Sequence, residues 1–189
     1  VLDEVPREQF VPDDFSALAF ADTEIPLAHG QFMMTPTIEG RVLQALGLSG
    51  DEKVLEIGTG SGFLTACIAK LSAHVTSIDL YDDFLDSAKR KLVLCGVDNV
   101  ELMQMNAIKE LPDGTFDAIA VTGSIQSFDP RFADALRIGG RLFVVVGDAP
   151  AMVAKLLIRT DENDWQSDTL FETDLAALVD GALPKQFSF

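Results

Sequence analysis

Val54-Leu55-Glu56-Ile57-Gly58-Thr59-Gly60-Ser61-Gly62 decides the fold of this chain. Four residues of strand character run straight into glycines at alternate positions. Leu64, Cys67, Ile68 and Leu71 then recur at the helical period. A strand, a glycine loop and a helix in direct succession form the first unit of a parallel sheet that binds a nucleotide-type ligand beyond its strand ends. Glycine lets the ligand approach the backbone closely, and the helix that follows presents unpaired N–H groups.

Working outward, Thr35 suits a helix N-cap, with Pro36 at the first helical position. Ile38, Val42, Leu43 and Leu46 share one face, and Gly47 is a stop. A turn at Ser49-Gly50-Asp51 leads into the first strand. Downstream, the pattern predicts a strand over 74–79 and a helix over 82–94 with Leu85, Ala88 and Leu92 inward. A third strand over 99–104 and a fourth over 116–121 follow. Asp129 and Pro130 start a further helix that Gly139 closes, and residues 141–146 read as an almost wholly apolar central strand. A polar turn at 161–164 separates strands near 151–159 and 166–173, so the sheet is expected to finish antiparallel. The fold class is therefore α/β: a Rossmann-like, doubly wound, mostly parallel sheet with helices on both faces and an antiparallel C-terminal end.

A length of 189 residues suits one domain. Residues 1–34 are expected to form a substrate-side segment, 35–147 the cofactor-binding core and 148–189 the C-terminal strands. With 48% apolar and 23% charged residues the chain is not of the disordered class. No apolar run reaches the roughly 18 residues of a membrane span. A net charge of -16 repels phosphate backbones and anionic lipid, so neither nucleic acid nor membrane is an expected partner. Lys89-Arg90-Lys91 reads as a solvated helix face. Cys67 and Cys95 continue apolar stripes and form no CxxC pair, which reads as two small buried hydrophobes in a cytoplasmic protein. His29 and His74 lack metal-site spacing, and no metal is expected. The sequence opens at Val1 without a methionine, and further residues upstream are expected.

Asp79 ends the second strand about 20 residues after the loop, where a carboxylate accepts hydrogen bonds from both hydroxyls of a ribose. Two details choose the ligand. The dinucleotide pattern GxGxxG needs glycine where this chain has Phe63. Glu56, beside the first glycine, opposes a pyrophosphate but suits ammonium and sulfonium charges. The expected cofactor is S-adenosyl-L-methionine, with S-adenosyl-L-homocysteine as product.

VLEIGTGSG at 54–62 resembles motif I of class I S-adenosylmethionine-dependent methyltransferases. Val5-Pro6-Arg7-Glu8-Gln9-Phe10-Val11-Pro12, Pro26-Leu27, His29-Gly30-Gln31 and Pro36 are similar to the N-terminal signature of the protein-L-isoaspartate O-methyltransferase family. So are Phe116-Asp117-Ala118-Ile119 and Gly139-Gly140-Arg141-Leu142, and the resemblance covers residues 5–147. It implies methyl transfer to the side-chain carboxylate of isoaspartyl residues, a step in the repair of damaged proteins. The substrate is then a peptide or protein carboxylate. The cofactor site it implies comprises Glu56, Gly58, Thr59, Gly60, Asp79, Leu80, Asn106, Ala107 and Thr122. Gln31, Met34 and Thr35 form the catalytic side, where Phe32 and Met33 also line the substrate. A carboxylate is already anionic at pH 7, so the reaction needs alignment more than a general base.

This sequence departs from the family pattern at three places. Met34 stands where the family has its active-site serine, and a thioether cannot donate a hydroxyl hydrogen bond, so isoaspartyl recognition is expected to weaken unless Thr35 substitutes. Met105-Asn106-Ala107 replaces the family's GDG, with Asn106 still able to accept from an adenine amino group. Thr122-Gly123-Ser124-Ile125-Gln126 lacks the family's proline. The alternatives are a divergent methyltransferase for another substrate and a catalytically inactive S-adenosylmethionine-binding module. A dinucleotide-dependent oxidoreductase fits the loop least.

Overall fold

The structure, a computed structural model, describes residues 1–181. Before the central sheet come three short 3₁₀ turns and a two-stranded antiparallel ladder, β1 (Ile25–Pro26) with β2 (Phe32–Met33). The helix α1 (Pro36–Leu46) follows, capped by Thr35, whose Oγ1 accepts from Ile38 N at 3.3 Å. Gly47 closes it in the left-handed region, as its sequence signals predict.

The sheet contains β3 (Lys53–Ile57), β4 (His74–Asp79), β5 (Val100–Gln104), β6 (Phe116–Ile125), β7 (Leu136–Asp148), β8 (Ala151–Asp161) and β9 (Asp164–Thr173), in spatial order β5-β4-β3-β6-β7-β8-β9. Pairings up to β6 with β7 are parallel, and the last two are antiparallel. The chain leaves β3 toward β4 and β5 on one side and reaches β6 and β7 on the other. The carboxyl ends of β3 and β6 thus flank a topological switch point, where such sheets bind ligands.

Alternation along the central strands sorts the core into two layers. Val54, Val75, Ala118 and Ala120 face α1, α2 (Phe63–Leu71) and Leu92 of α3 (Asp82–Leu94). Leu55, Ile57, Ile119 and Val121 face Phe132 of α4 (Pro130–Asp134). Helices cover both faces, but unequally.

Two elements differ from the sequence reading. The helix expected to run from Asp129 to Gly139 stops after Asp134, and β7 begins at Leu136. Leu136 pairs with Phe116, and the ladder shifts register before Ala118 meets Arg141. The glycine pair lies in that irregularity. Gly139 has φ +82, and a Cβ on Gly140 would lie 2.8–3.1 Å from the carbonyl oxygens of Arg137, Asp117 and Phe116. The glycines therefore admit a bulge rather than cap a helix. β6 also runs four residues past Val121, because Ser124 and Ile125 pair again with Val145 and Val146.

Candidate active site

The glycine loop is shaped by backbone requirements. Gly58, Gly60 and Gly62 have φ of 101°, 50° and 85°. A Cβ on Gly58 would run into Thr122 Oγ1, and one on Gly62 would lie 2.8 Å from Ala88 Cβ. Gly58 N and Thr59 N both donate to Ile78 O, at 2.8 and 3.3 Å, so the loop is pinned to β4 as it leaves β3. Thr122 Oγ1 is placed to donate to Ile57 O or Gly58 O, at 2.9 and 2.8 Å.

An open cleft lies over this loop. It is lined by Gly58, Thr59 and Gly60 of the loop with Thr122 of β6, by Asp79, Leu80, Asn106 and Ala107 at and beyond the ends of β4 and β5, and by Gln31, Phe32, Met33 and Met34 of the N-terminal segment, the acceptor wall. Twelve of the fourteen residues named from sequence for the two sides of the site therefore line one space.

Asp79 is 8% exposed, and its Oδ2 and Oδ1 accept from Gly60 N at 2.9 Å and Tyr81 N at 3.1 Å. Burial raises its carboxyl above the ordinary value, against those backbone donors. Asn106 Oδ1 accepts from Ile108 N, and its Nδ2 donates to Asp180 at 2.8 Å. Met34 is buried.

Two expected residues lie elsewhere. Glu56 does not line the cleft. It is fully buried beneath the loop, where Oε2 accepts from Ser77 Oγ and Thr65 Oγ1 at 2.5 Å each. Its position explains this, since alternation turns residue 56 to the face of the sheet that α2 covers, against Thr65. Oε1 has no partner, and burial raises the carboxyl to about 7 despite the two hydroxyls. Thr35 does not line the cleft either. It borders an adjoining groove, and its hydroxyl caps α1.

The sequence reading missed other lining residues. Leu175 to Val179 form a wall from the tail, laced to β6 by Ser124 N to Ala176 O, Leu178 N to Ser124 O and Ser124 Oγ to Leu175 O, at 2.7–2.9 Å. Nothing periodic announces that wall. Tyr81 and Phe84 line the rim, and His29 stacks on Tyr81 at 3.9 Å while its Nε2 sits 3.0 Å from Asp83. Glu39 also lines the cleft. Its signal was available: it stands one turn before Val42 and Leu43 on the buried face of α1, where a charge is out of place. Burial raises its carboxyl to about 8, opposed by the adjacent Arg7.

Among the described residues the cleft contains the carboxylates of Glu24, Glu39 and Asp79 and no lysine, arginine or histidine. That donor set suits a cationic adenosine derivative and opposes a pyrophosphate.

The model of the protein-L-isoaspartate(D-aspartate) O-methyltransferase family matches residues 1–182. The chain belongs to this family. Its fold and enzyme class are accordingly those of an S-adenosylmethionine-dependent methyltransferase. Protein-L-isoaspartate O-methyltransferase 1 of Rhodopseudomonas palustris (strain HaA2) is 35% identical over 178 residues, covering 93% of this chain and 73% of its own. The protein-L-isoaspartate O-methyltransferase of Aliivibrio salmonicida (strain LFI1238) is 33% identical over 181 residues, 95% and 86% of the two chains. In fold the chain is similar to a Plasmodium falciparum protein described as a protein-L-isoaspartate O-methyltransferase in complex with S-adenosyl-L-homocysteine. The TM-score is 0.79 at 21% identity, covering 93% of this chain and 86% of that one.

Proposed function

We propose that the chain transfers a methyl group from S-adenosyl-L-methionine to the side-chain carboxylate of isoaspartyl residues in proteins or peptides, leaving S-adenosyl-L-homocysteine. The observation that carries this reading is the single cleft shared by the glycine loop and the Gln31–Met34 segment, which contains carboxylates and no cation among the described residues. Bound there, S-adenosylmethionine supplies a methyl group on a positively charged sulfur. The protein's residues bind and align.

In this reading the Asp79 carboxylate accepts from the ribose hydroxyls, and its bonds to Gly60 N and Tyr81 N hold it in place. Asn106 Oδ1 keeps a second lone pair for the adenine amino group, between the apolar walls of Leu80 and Ala107. Gly58, Thr59 and Gly60 let the ligand approach the backbone. Thr122 is placed to turn its hydroxyl proton toward β3, leaving its lone pairs to the cleft. Glu56 acts from beneath, fixing Ser77 and Thr65 below the loop.

On the acceptor wall, Gln31 Nε2 has only a 3.4 Å contact with His29 O and is the side-chain donor left for a substrate carboxylate. Met34 is an apolar wall there and excludes water. The acceptor is already anionic, so proximity and alignment carry the acceleration.

Residues 1–34, 35–147 and the C-terminal strands work as one domain in this reading, because Phe32, Gly58 and Leu175 from the three parts line the same cleft. The free thiols Cys67 and Cys95 agree with a cytoplasmic protein, and a net charge of -16 opposes nucleic-acid partners. No helix of the described residues is long and apolar enough to cross a membrane.

The test is methyl transfer from labelled S-adenosylmethionine to an isoaspartyl peptide, against the matching aspartyl peptide and a peptide-free control, beside a calorimetric titration with S-adenosylhomocysteine. Isoaspartyl-specific labelling is expected. Binding of S-adenosylhomocysteine without labelling would overturn the acceptor and retain the cofactor.

A further inference from the structure

Arg7 lies outside the cleft, yet its guanidinium is committed to four separate parts of the structure. It is 3% exposed. Nε donates to Ala19 O at 2.7 Å, Nη2 donates to Met34 O at 2.8 Å, and Nη1 pairs with Glu39 Oε2. Its carbon Cζ stands 4.7 Å over the ring centroid of Phe63, the first residue of α2 after the glycine loop. The Met34 carbonyl belongs to the acceptor wall, Glu39 to the first turns of α1 and Phe63 to the donor side.

We propose that Arg7 is a positioning residue for methyl transfer: its buried guanidinium, shared by Glu39, the Met34 carbonyl and the Phe63 ring, holds the acceptor wall in register with the glycine loop. The proposal rests on the methyltransferase reading above. The acceptor segment contains β2, a two-residue strand paired with the two-residue β1 and preceded by a 3₁₀ turn, so its ladder is short. A planar fork can serve three acceptors in fixed directions, and a point charge cannot. Glu39 orients that fork, and Glu39 itself lines the cleft. The Arg7 bridge thus links the backbone that faces the acceptor with the helix start that carries the donor loop.

Arg7→Lys retains a cation for Glu39 and loses the fork, while Glu39→Gln retains a hydrogen-bonding partner and loses the charge. Neither removes a side chain outright, and a thermal melt checks that each variant folds. In Arg7→Lys we expect kcat on an isoaspartyl peptide to fall on the order of 10- to 100-fold, the cost of an ångström-scale misplacement, while the Kd for S-adenosylhomocysteine moves less than about threefold. The Arg7→Lys/Glu39→Gln double variant is expected to lose about as much kcat as Arg7→Lys alone, because the pair acts as a unit.

Amide hydrogen exchange is the readout that needs no turnover. In Arg7→Lys, exchange should rise at residues 31–34 and stay unchanged in β3 and β4. Unchanged kcat with unchanged exchange at 31–34 would overturn the proposal, as would an equal loss in kcat and cofactor affinity. If the wild-type protein binds S-adenosylhomocysteine but labels no isoaspartyl peptide, the acceptor assignment has failed. The exchange measurement then decides the role of Arg7 by itself.

Discussion

The two walls of the cleft are built by different means. The donor wall is made of backbone: Glu56 and Ile57 of β3 lie in register with Ser77 and Ile78 of β4, and the loop amides of Gly58 and Thr59 continue that pairing onto Ile78 O. The acceptor wall has a two-residue ladder, β2 on β1, and the bonds of Leu27 N to Gln31 O and Gln31 N to Ala28 O, and side chains do the rest. Its chain path is held by Arg7 on Met34 O, by His29 against Tyr81 and Asp83, and by Asp22 Oδ1 accepting from Thr37 N. A wall fixed by a parallel ladder tolerates few substitutions in its loop. A wall held in part by a handful of side chains can be retuned residue by residue.

The largest expected effect lies on the donor wall. Gly58→Ala forces a φ of 101° on a residue with a side chain and drives its Cβ into Thr122 Oγ1. Backbone strain of about 1–3 kcal/mol and a packing clash of similar size predict a loss of about 3 kcal/mol or more of stability. The S-adenosylhomocysteine affinity should collapse with it, read by denaturant melts and calorimetry. A Gly58→Ala protein with native stability and affinity would mean that the loop is as adjustable as the opposite wall, and the contrast between them would fail.

The same contrast explains what was legible in the sequence. Periodicity of 2 and 3.6 carried the sheet, α1, α2, α3 and the antiparallel finish, and the glycine loop with Asp79 carried the donor end. Those signals are local. The long helix at 130–139 was misread because Asp129 and Pro130 start a helix truthfully, while the bulge that ends it is set by Phe116 and Asp117, distant in sequence. The tail wall from Leu175 depends on bonds to Ser124, 51 residues earlier, and has no pattern of its own. Glu56 was assigned to the right place and the wrong contact: one position in a strand decides between the ligand and the space beneath the loop.

That buried position makes the next prediction, of intermediate size. Glu56 titrates near 7 in the folded protein against an ordinary 4.5, because burial disfavours its charge. Between those values the folded state holds a proton that the unfolded chain has released. Stability from this group is therefore fully present below pH 4.5 and is lost as pH rises to about 7, by at most roughly 3 kcal/mol. Glu56→Gln is neutral throughout and should flatten that part of the profile, seen as a smaller fall in melting temperature between about pH 5 and 7.5. Glu39 titrates in the same direction in both proteins and leaves a residual slope. Identical slopes would mean that Glu56 meets a partner that keeps it charged, and the donor wall would then contain an ionic tie as the acceptor wall does.

The smallest effect tests the division at its border. Thr35 follows Met34 directly and is the next hydroxyl in sequence after the acceptor wall. Its Oγ1 accepts from Ile38 N and it borders the adjoining groove rather than the cleft, so its work is to start α1. Thr35→Ala should cost about 1 kcal/mol of stability, the usual worth of an N-cap. Turnover on an isoaspartyl peptide should stay within about twofold, since no transition-state contact is removed. A cap and a catalytic donor are distinguished by which quantity moves. If kcat falls on the order of 100-fold while the melt barely shifts, the hydroxyl reaches the acceptor during the reaction. The acceptor wall would then draw a hydroxyl donor from the position after Met34.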